Sequence, residues 1–214
     1  MEMLRKALEL LPVPQGFSLI VDEKPGRFRE EVNIELHLQR CNDRVRLLVA
    51  KCFRGRPPHY GRWVEVFAVM EHAELCGHRF RFAGSNLERE LLKSLAETLG
   101  SGDLLYIEYL YDLETTRALR LGIPPALTRL GFELFLMGFI RLKDWYYPEG
   151  FMEGGPKLQG EKMVDEVLKK KHLSSICEET SGSIAFLERL SKEPELQELA
   201  EACLKRARII RESC

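Results

Sequence analysis

The segment from Asp103 to Lys162 constrains the fold most. It reads as strand, helix, helix, strand, then a loop rich in glycine, aromatic and charged residues. Leu104–Tyr111 (LLYIEYLY) is apolar on both faces apart from Glu108. Such a run suits a central strand covered on both sides. Glu108 is then a carboxylate in an expensive place, and partial desolvation would move its pKa toward neutrality and make it a usable general base. The competing structural role is a carboxylate that faces solvent or pairs with an arginine.

The flanking sequence builds the rest of a sheet. Residues 2–11 place Leu4, Leu8 and Leu11 at helical spacing, and Pro12 and Pro14 stop the helix. Phe17–Val21, the alternating Val32, Ile34, Leu36 and Leu38, Val45–Phe53, Trp63–Met70 and His78–Phe82 read as strands of an antiparallel meander. Ser85, followed three residues later by Glu88, is a capping box. It opens a helix with Leu87, Leu91, Leu95 and Leu99 along its buried side. Asp112 is placed to cap a short helix, Leu113–Leu121. Pro124 and Pro125 open another, Ala126–Met137, in which Gly131 would permit close approach to the sheet. Phe139–Tyr146 returns to the sheet. Beyond Lys162 three helices are expected, Lys162–Lys171, Ser183–Leu190 and Glu195–Ile210. The fold class is therefore α+β, a mixed and mostly antiparallel central sheet flanked by helices. Residues 1–162 form the core and 163–214 a helical extension packed on it or on a partner subunit.

Charge excludes little. Lys+Arg (32) and Asp+Glu (33) nearly cancel, so bulk charge argues for neither nucleic acid nor an anionic membrane. No stretch approaches the roughly 18 apolar residues of a membrane span, and the N-terminal residues lack the uninterrupted apolar region of a signal peptide. A soluble cytoplasmic protein is the simple expectation. The six cysteines form no CxxC pair, the histidines form no HxH or HExxH set, and no metal site is expected. Size makes a disulfide framework unnecessary, and Cys214 is expected to be exposed. Cys76 and His78 could form a nucleophilic pair only through long-range folding.

Two further segments carry candidate chemistry. Arg120–Gly131 (RLGIPPALTRLG) combines a break with a helix start, whose first-turn N–H groups could receive a phosphate or pyrophosphate, with Arg120 or Arg117 as countercharge. The alternative is an ordinary connection between helices. The loop Lys143–Lys162 (KDWYYPEGFMEGGPKLQGEK) offers Trp145, Tyr146 and Tyr147 as an aromatic wall. Glu149 and Glu153 would attract an amine, and Lys157 would hold an anion. Four glycines in it, Gly150, Gly154, Gly155 and Gly160, allow loop conformations; core-filling aromatics and solvated charges are the plainer account. In a regular strand Glu108 points away from Tyr109, so Tyr146 or Tyr147, from a neighbouring element, is the better proton donor.

The stretch YIEYLYDLETTRALRLGIPPALTRLGFELFLMGF with KDWYYPEGFMEGGPKLQGEK resembles an uncharacterised prokaryotic family, domain-of-unknown-function family 1122, most specifically from Tyr106 to Lys162. More remotely it resembles the GNAT N-acetyltransferase superfamily, which has an antiparallel meander, a central strand and a helix whose start receives the pyrophosphate of coenzyme A. That resemblance implies an acyl-CoA-dependent N-acyltransferase with acetyl-CoA or another acyl-CoA as cofactor and a small-molecule or peptide amine as substrate. Glu108 would be the base and Tyr146 or Tyr147 the acid. Arg120, Gly122, Ala126 and Leu127 would stand at the cofactor, and Trp145, Glu149, Glu153 and Lys157 at the substrate. The superfamily's acyl-CoA motif falls on Leu119–Pro124, where only Gly122 agrees and Pro124 offers no N–H. The alternative is a non-catalytic binding or assembly module with the same frame, its C-terminal helices available for a homodimer.

Overall fold

Ile34, Leu36 and Leu38, at alternate positions, are fully buried, which makes their strand one side of a core. The computed structural model describes residues 2–27, 31–54, 62–67, 72–100, 103–108, 112–145, 157–162 and 166–214. Its main sheet has seven strands: β1 (Ser18–Pro25), β2 (Val32–Arg40), β3 (Asp43–Arg54), β4 (Arg62–Phe67), β7 (Leu104–Glu108), β9 (Lys157–Lys162) and β8 (Phe139–Trp145), in that spatial order. Every neighbouring pair is antiparallel except β4 and β7, which run parallel from Trp63↔Leu104 to Val66↔Ile107. The strand read as central is therefore internal, with Leu105 and Ile107 fully buried.

The remaining two strands, β5 (His72–Leu75) and β6 (His78–Arg81), form a separate hairpin. This corrects the single meander expected from the sequence. The Cys76–Gly77 turn, with both residues at positive φ, folds the chain back on itself before it can join the large sheet.

Helix α1 (Glu2–Glu9) brings Leu8 into the same core as α2 (Asn86–Thr98), with Leu87, Leu91, Leu92 and Leu95. A second cluster gathers Ile123, Ala126, Leu127, Phe132 and Ile140 with residues of the two C-terminal helices, α5 (Glu166–Leu190) and α6 (Gln197–Glu212), among them Ile176, Leu187, Cys203 and Ile210. Phe139 belongs to the first cluster and its neighbour Ile140 to the second, as expected where successive residues leave a strand in opposite directions. The C-terminal helices thus pack on the chain's own core.

Four local expectations are corrected. Ala126–Met137 is not one helix: a 3₁₀ turn, Pro125–Leu127, precedes α4 (Arg129–Leu136), because Thr128 is extended and caps α4 through its hydroxyl to the Gly131 N–H. Gly131 lies close to the 3₁₀ turn rather than the sheet, since a Cβ there would stand 1.8 Å from the Pro125 carbonyl oxygen. The Lys143–Lys162 loop is partly sheet, as Lys143 pairs with Gln159 and Trp145 with Lys157. Its Gly160 is a strand residue, buried where a Cβ would come 3.0 Å from the Phe139 ring. Finally, α5 runs unbroken through Ser181–Gly182–Ser183; Ile176 and Leu187, buried on either side, outweigh the roughly 1 kcal/mol that one helical glycine costs. Cys214 is exposed, as expected, and forms a disulfide with Cys177 of α5. Among the described residues no helix is long and apolar enough to cross a membrane.

Candidate functional site

The parallel pair β4 and β7 ends where three helices begin. The start of α2, the start of α3 (Leu113–Arg120) and the start of α4 all contribute to one polar junction beside the carboxyl ends of those strands. Crevices outside the carboxyl ends of parallel strands are favoured ligand sites in open sheets. Here the crevice measures about 370 Å³ and is lined by Arg81, Ala83, Gly84, Ser85, Asp112, Leu113, Glu114 and Arg129.

Its wall is a continuous hydrogen-bonded chain. The Ser85 hydroxyl accepts from the Glu88 N–H at 3.1 Å, the first half of the capping box expected from the sequence. The second half is displaced by one residue, since the Ser85 N–H donates to the Phe82 carbonyl and the Glu88 carboxylate accepts from the Gly84 N–H at 2.6 Å. The Arg129 guanidinium then donates two parallel bonds to Glu88, 2.6 and 2.8 Å, and a third through Nε to Asp112 at 2.9 Å. Asp112 also accepts from the Thr115 hydroxyl at 2.5 Å, and that hydroxyl accepts from the Leu130 N–H of α4 at 3.1 Å. Glu88 and Asp112 are buried. The start of α2 thus faces the buried Glu88 carboxylate, a favourable arrangement for its dipole. Arg129 bridges the two carboxylates, its single charge offsetting one of their two. Asp112, expected to cap α3, makes no side-chain bond to that helix's N–H groups and is turned to Thr115 and Arg129 instead.

The proposed cofactor residues lie at the α3–α4 connection. The Gly122 N–H already donates to Leu119 and the Leu127 N–H to Pro124. Ala126 and Leu127 are buried in the second core, and the Leu127 carbonyl accepts from Arg206 of α6 at 3.2 Å. Arg117 donates to the Glu195 carbonyl at 2.8 Å, while Arg120 is exposed. Glu108, Lys157 and Trp145 occupy one cross-strand row, Glu108 pairing with Lys157 and Lys157 with Trp145; their side chains lie outside the described structure. So do Tyr146, Tyr147, Glu149 and Glu153, together with Tyr109, Tyr111, Gly150, Gly154 and Gly155.

Cys76 and His78 do not form a nucleophile–base pair. An imidazole nitrogen of His78 meets the Cys76 carbonyl oxygen at 2.9 Å, whereas the Cys76 thiol donates to the Arg40 carbonyl at 3.1 Å. The neighbouring Cys41 thiol, burial and the Asp43 carboxylate push the Cys76 thiol up to about 11, the wrong direction for a thiolate nucleophile at neutral pH.

Sequence reasoning assigned Glu88 and Asp112 only to capping and missed Arg129 as the residue that joins them. The capping box was the available signal for Glu88. Nothing local signals a partner 41 residues away.

Taken together, these features define a mixed α+β protein in which a mostly antiparallel sheet is flanked by helices and the starts of α2 and α4 are capped by the Ser85 and Thr128 hydroxyls. The profile of the family described as "Protein of unknown function (DUF1122)" matches residues 15–189, and the chain belongs to that family. It is similar to the crystal structure of a protein of unknown function, AQ1966, from Aquifex aeolicus VF5, with 36% identity over 98% of this chain and 97% of that one and a TM-score of 0.74. No curated protein matches the chain.

Proposed function

We propose that this chain is a non-catalytic binding or assembly module built on a GNAT-like frame. One observation carries the reading: where a crossover helix would offer its start to a pyrophosphate, the Gly84 and Glu88 N–H groups are already bonded to the Glu88 and Ser85 side chains, and Arg129 is held by Glu88 and Asp112. A bound polyphosphate would have to displace a buried carboxylate from the Gly84 N–H and take Arg129 from two partners. At the α3–α4 connection, the N–H groups of Gly122 and Leu127 are likewise engaged.

The acyltransferase remains the second reading, favoured by the strand order, with a single parallel pair beside an otherwise antiparallel sheet. In it, Glu108 would take a proton from the amine, the amine nitrogen would attack the thioester carbonyl, and Tyr146 or Tyr147 would protonate the departing thiolate. The pyrophosphate would sit at Gly84–Ser85 and the start of α2 rather than at Gly122 and Ala126.

Calorimetric titration of the folded protein with acetyl-CoA and with coenzyme A separates the two. The module predicts no saturable heat with either compound. Saturable binding at micromolar concentration would overturn it, and Glu108→Gln would then test the proton-transfer role.

A further inference from the structure

A different face of the sheet holds a second set of groups with defined geometry. Glu35 and His37 are two residues apart on β2, alternating with the buried Ile34, Leu36 and Leu38 and therefore on the opposite face. Asp22 of β1 stands directly across from Glu35 in the register. His37 Nε2 is 3.1 Å from Glu35 Oε2 and 3.6 Å from Asp22 Oδ2, and one donor atom from each residue lies within 4.8 Å of the other two.

We propose that Asp22, Glu35 and His37 form a site for a divalent transition-metal ion of the zinc type. Tetrahedral coordination at zinc–nitrogen and zinc–oxygen bond lengths spaces neighbouring ligand atoms by about 3.4 Å, and the two His37 separations bracket that value. Two carboxylates neutralise a divalent ion, while the imidazole selects zinc-like ions over magnesium, which prefers oxygen and water. Three protein ligands leave a coordination position for water or substrate. Glu35 and His37 side chains are only 12% and 13% exposed, so the folded sheet has already removed much of their solvent.

Two neighbouring features fit such a site. The β2–β3 register shifts between Leu36 and His37, setting Arg46 opposite His37 and leaving Leu47 as the additional residue; bulges of this kind re-aim side chains next to functional sites. Two residues before Glu35 on β2, the side-chain oxygen of Asn33 is buried and has no hydrogen-bond partner among the described residues.

The competitors are cations. Lys24 Nζ bonds Glu35 Oε2 at 2.7 Å, Arg44 bonds Asp22 Oδ2, and Arg46 lies 3.6 Å from Glu35 Oε1. Lys24 and Arg44 are 55% and 38% exposed, and exposed ion pairs are weak enough to exchange. Metal entry would send the ammonium and guanidinium groups back to water.

The test is calorimetry of the metal-stripped protein with zinc, repeated with cobalt while following its visible spectrum. One ion per chain, bound at micromolar concentration with no cobalt–thiolate charge-transfer band, is expected. His37→Ala should weaken binding by more than the roughly 10- to 100-fold associated with losing a supporting group, with circular dichroism confirming the fold. Lys24→Gln removes a competitor and should tighten binding by about two- to fivefold, the size of an exposed ion pair. A misfolded variant would not produce that gain. Absence of binding at millimolar zinc would overturn the site. So would binding untouched by His37→Ala, or binding abolished by Cys41→Ser or Cys76→Ser.

Discussion

At the junction of α2, α3 and α4, Glu88 and Asp112 are 2% and 4% exposed and share one arginine that is itself 17% exposed. On the β1–β2 face, Asp22 and Glu35 meet separate cations, Arg44 and Lys24, that are 38% and 55% exposed. Both regions pair two carboxylates with positive groups, but their energetics differ. In the junction each partner is needed to keep another buried charge satisfied. On the sheet face the exposed cations Lys24 and Arg44 can return to water at little cost. The first arrangement can hold helices in place and resists ligand exchange; the second can exchange its cations.

The sharpest way to break this contrast is Arg129→Ala. It strands two buried carboxylates and should cost about 3–5 kcal/mol, measured by chemical denaturation. Arg129→Lys should recover only part of that loss, because an ammonium cannot make the bidentate bonds to Glu88 while reaching Asp112. A loss no larger than that of an exposed ion pair would show that the junction is not the rigid structural element its geometry indicates.

Next in size is Gly131→Ala. The added methyl would stand 1.8 Å from the Pro125 carbonyl oxygen and 2.9 Å from the Thr128 hydroxyl oxygen. Both belong to the turn that presents Arg129, so the backbone must shift. A destabilisation of about 1–3 kcal/mol is expected, together with loss of protection at the Leu130 and Gly131 amides in hydrogen exchange. An unchanged protection pattern would mean that the turn can move without disturbing the junction.

The same contrast explains what could be read from the sequence. The Ser85–Glu88 box, the Leu87–Leu99 stripe and the Ile34–Leu38 alternation are local patterns, and their elements are present. Strand β9 is not legible in this way, because Lys-Leu-Gln-Gly-Glu-Lys has no apolar alternation and owes its conformation to pairing with β7 and β8. The break at Thr128 depends on a side chain capping its own helix, which overrode the apolar run after Pro125. Candidate sites were harder still. Arg129 meets Glu88 across 41 residues, and Asp22 meets His37 only after a hairpin sets the register. Neither pattern exists until the chain has folded.

The smallest predicted effect lies on the sheet face. The Lys24 ammonium, then His37 and Arg46, hold the Glu35 carboxyl below its ordinary 4.5 against an opposing contribution from burial. A depressed folded pKa means that the ionised group stabilises the fold above its unfolded pKa and loses that contribution as pH falls through the folded value. In metal-free buffer, Glu35→Gln should therefore cost less than about 1 kcal/mol at neutral pH. The difference between wild type and variant should vanish on acidification below the ordinary glutamate range. Denaturation midpoints measured from pH 7 down to pH 3 test the sign. A difference that grows toward acid pH would mean Glu35 is stabilised as the neutral acid, contrary to an exchangeable ionic cluster, whereas convergence of the two curves would separate this face from the sealed junction by both size and pH response.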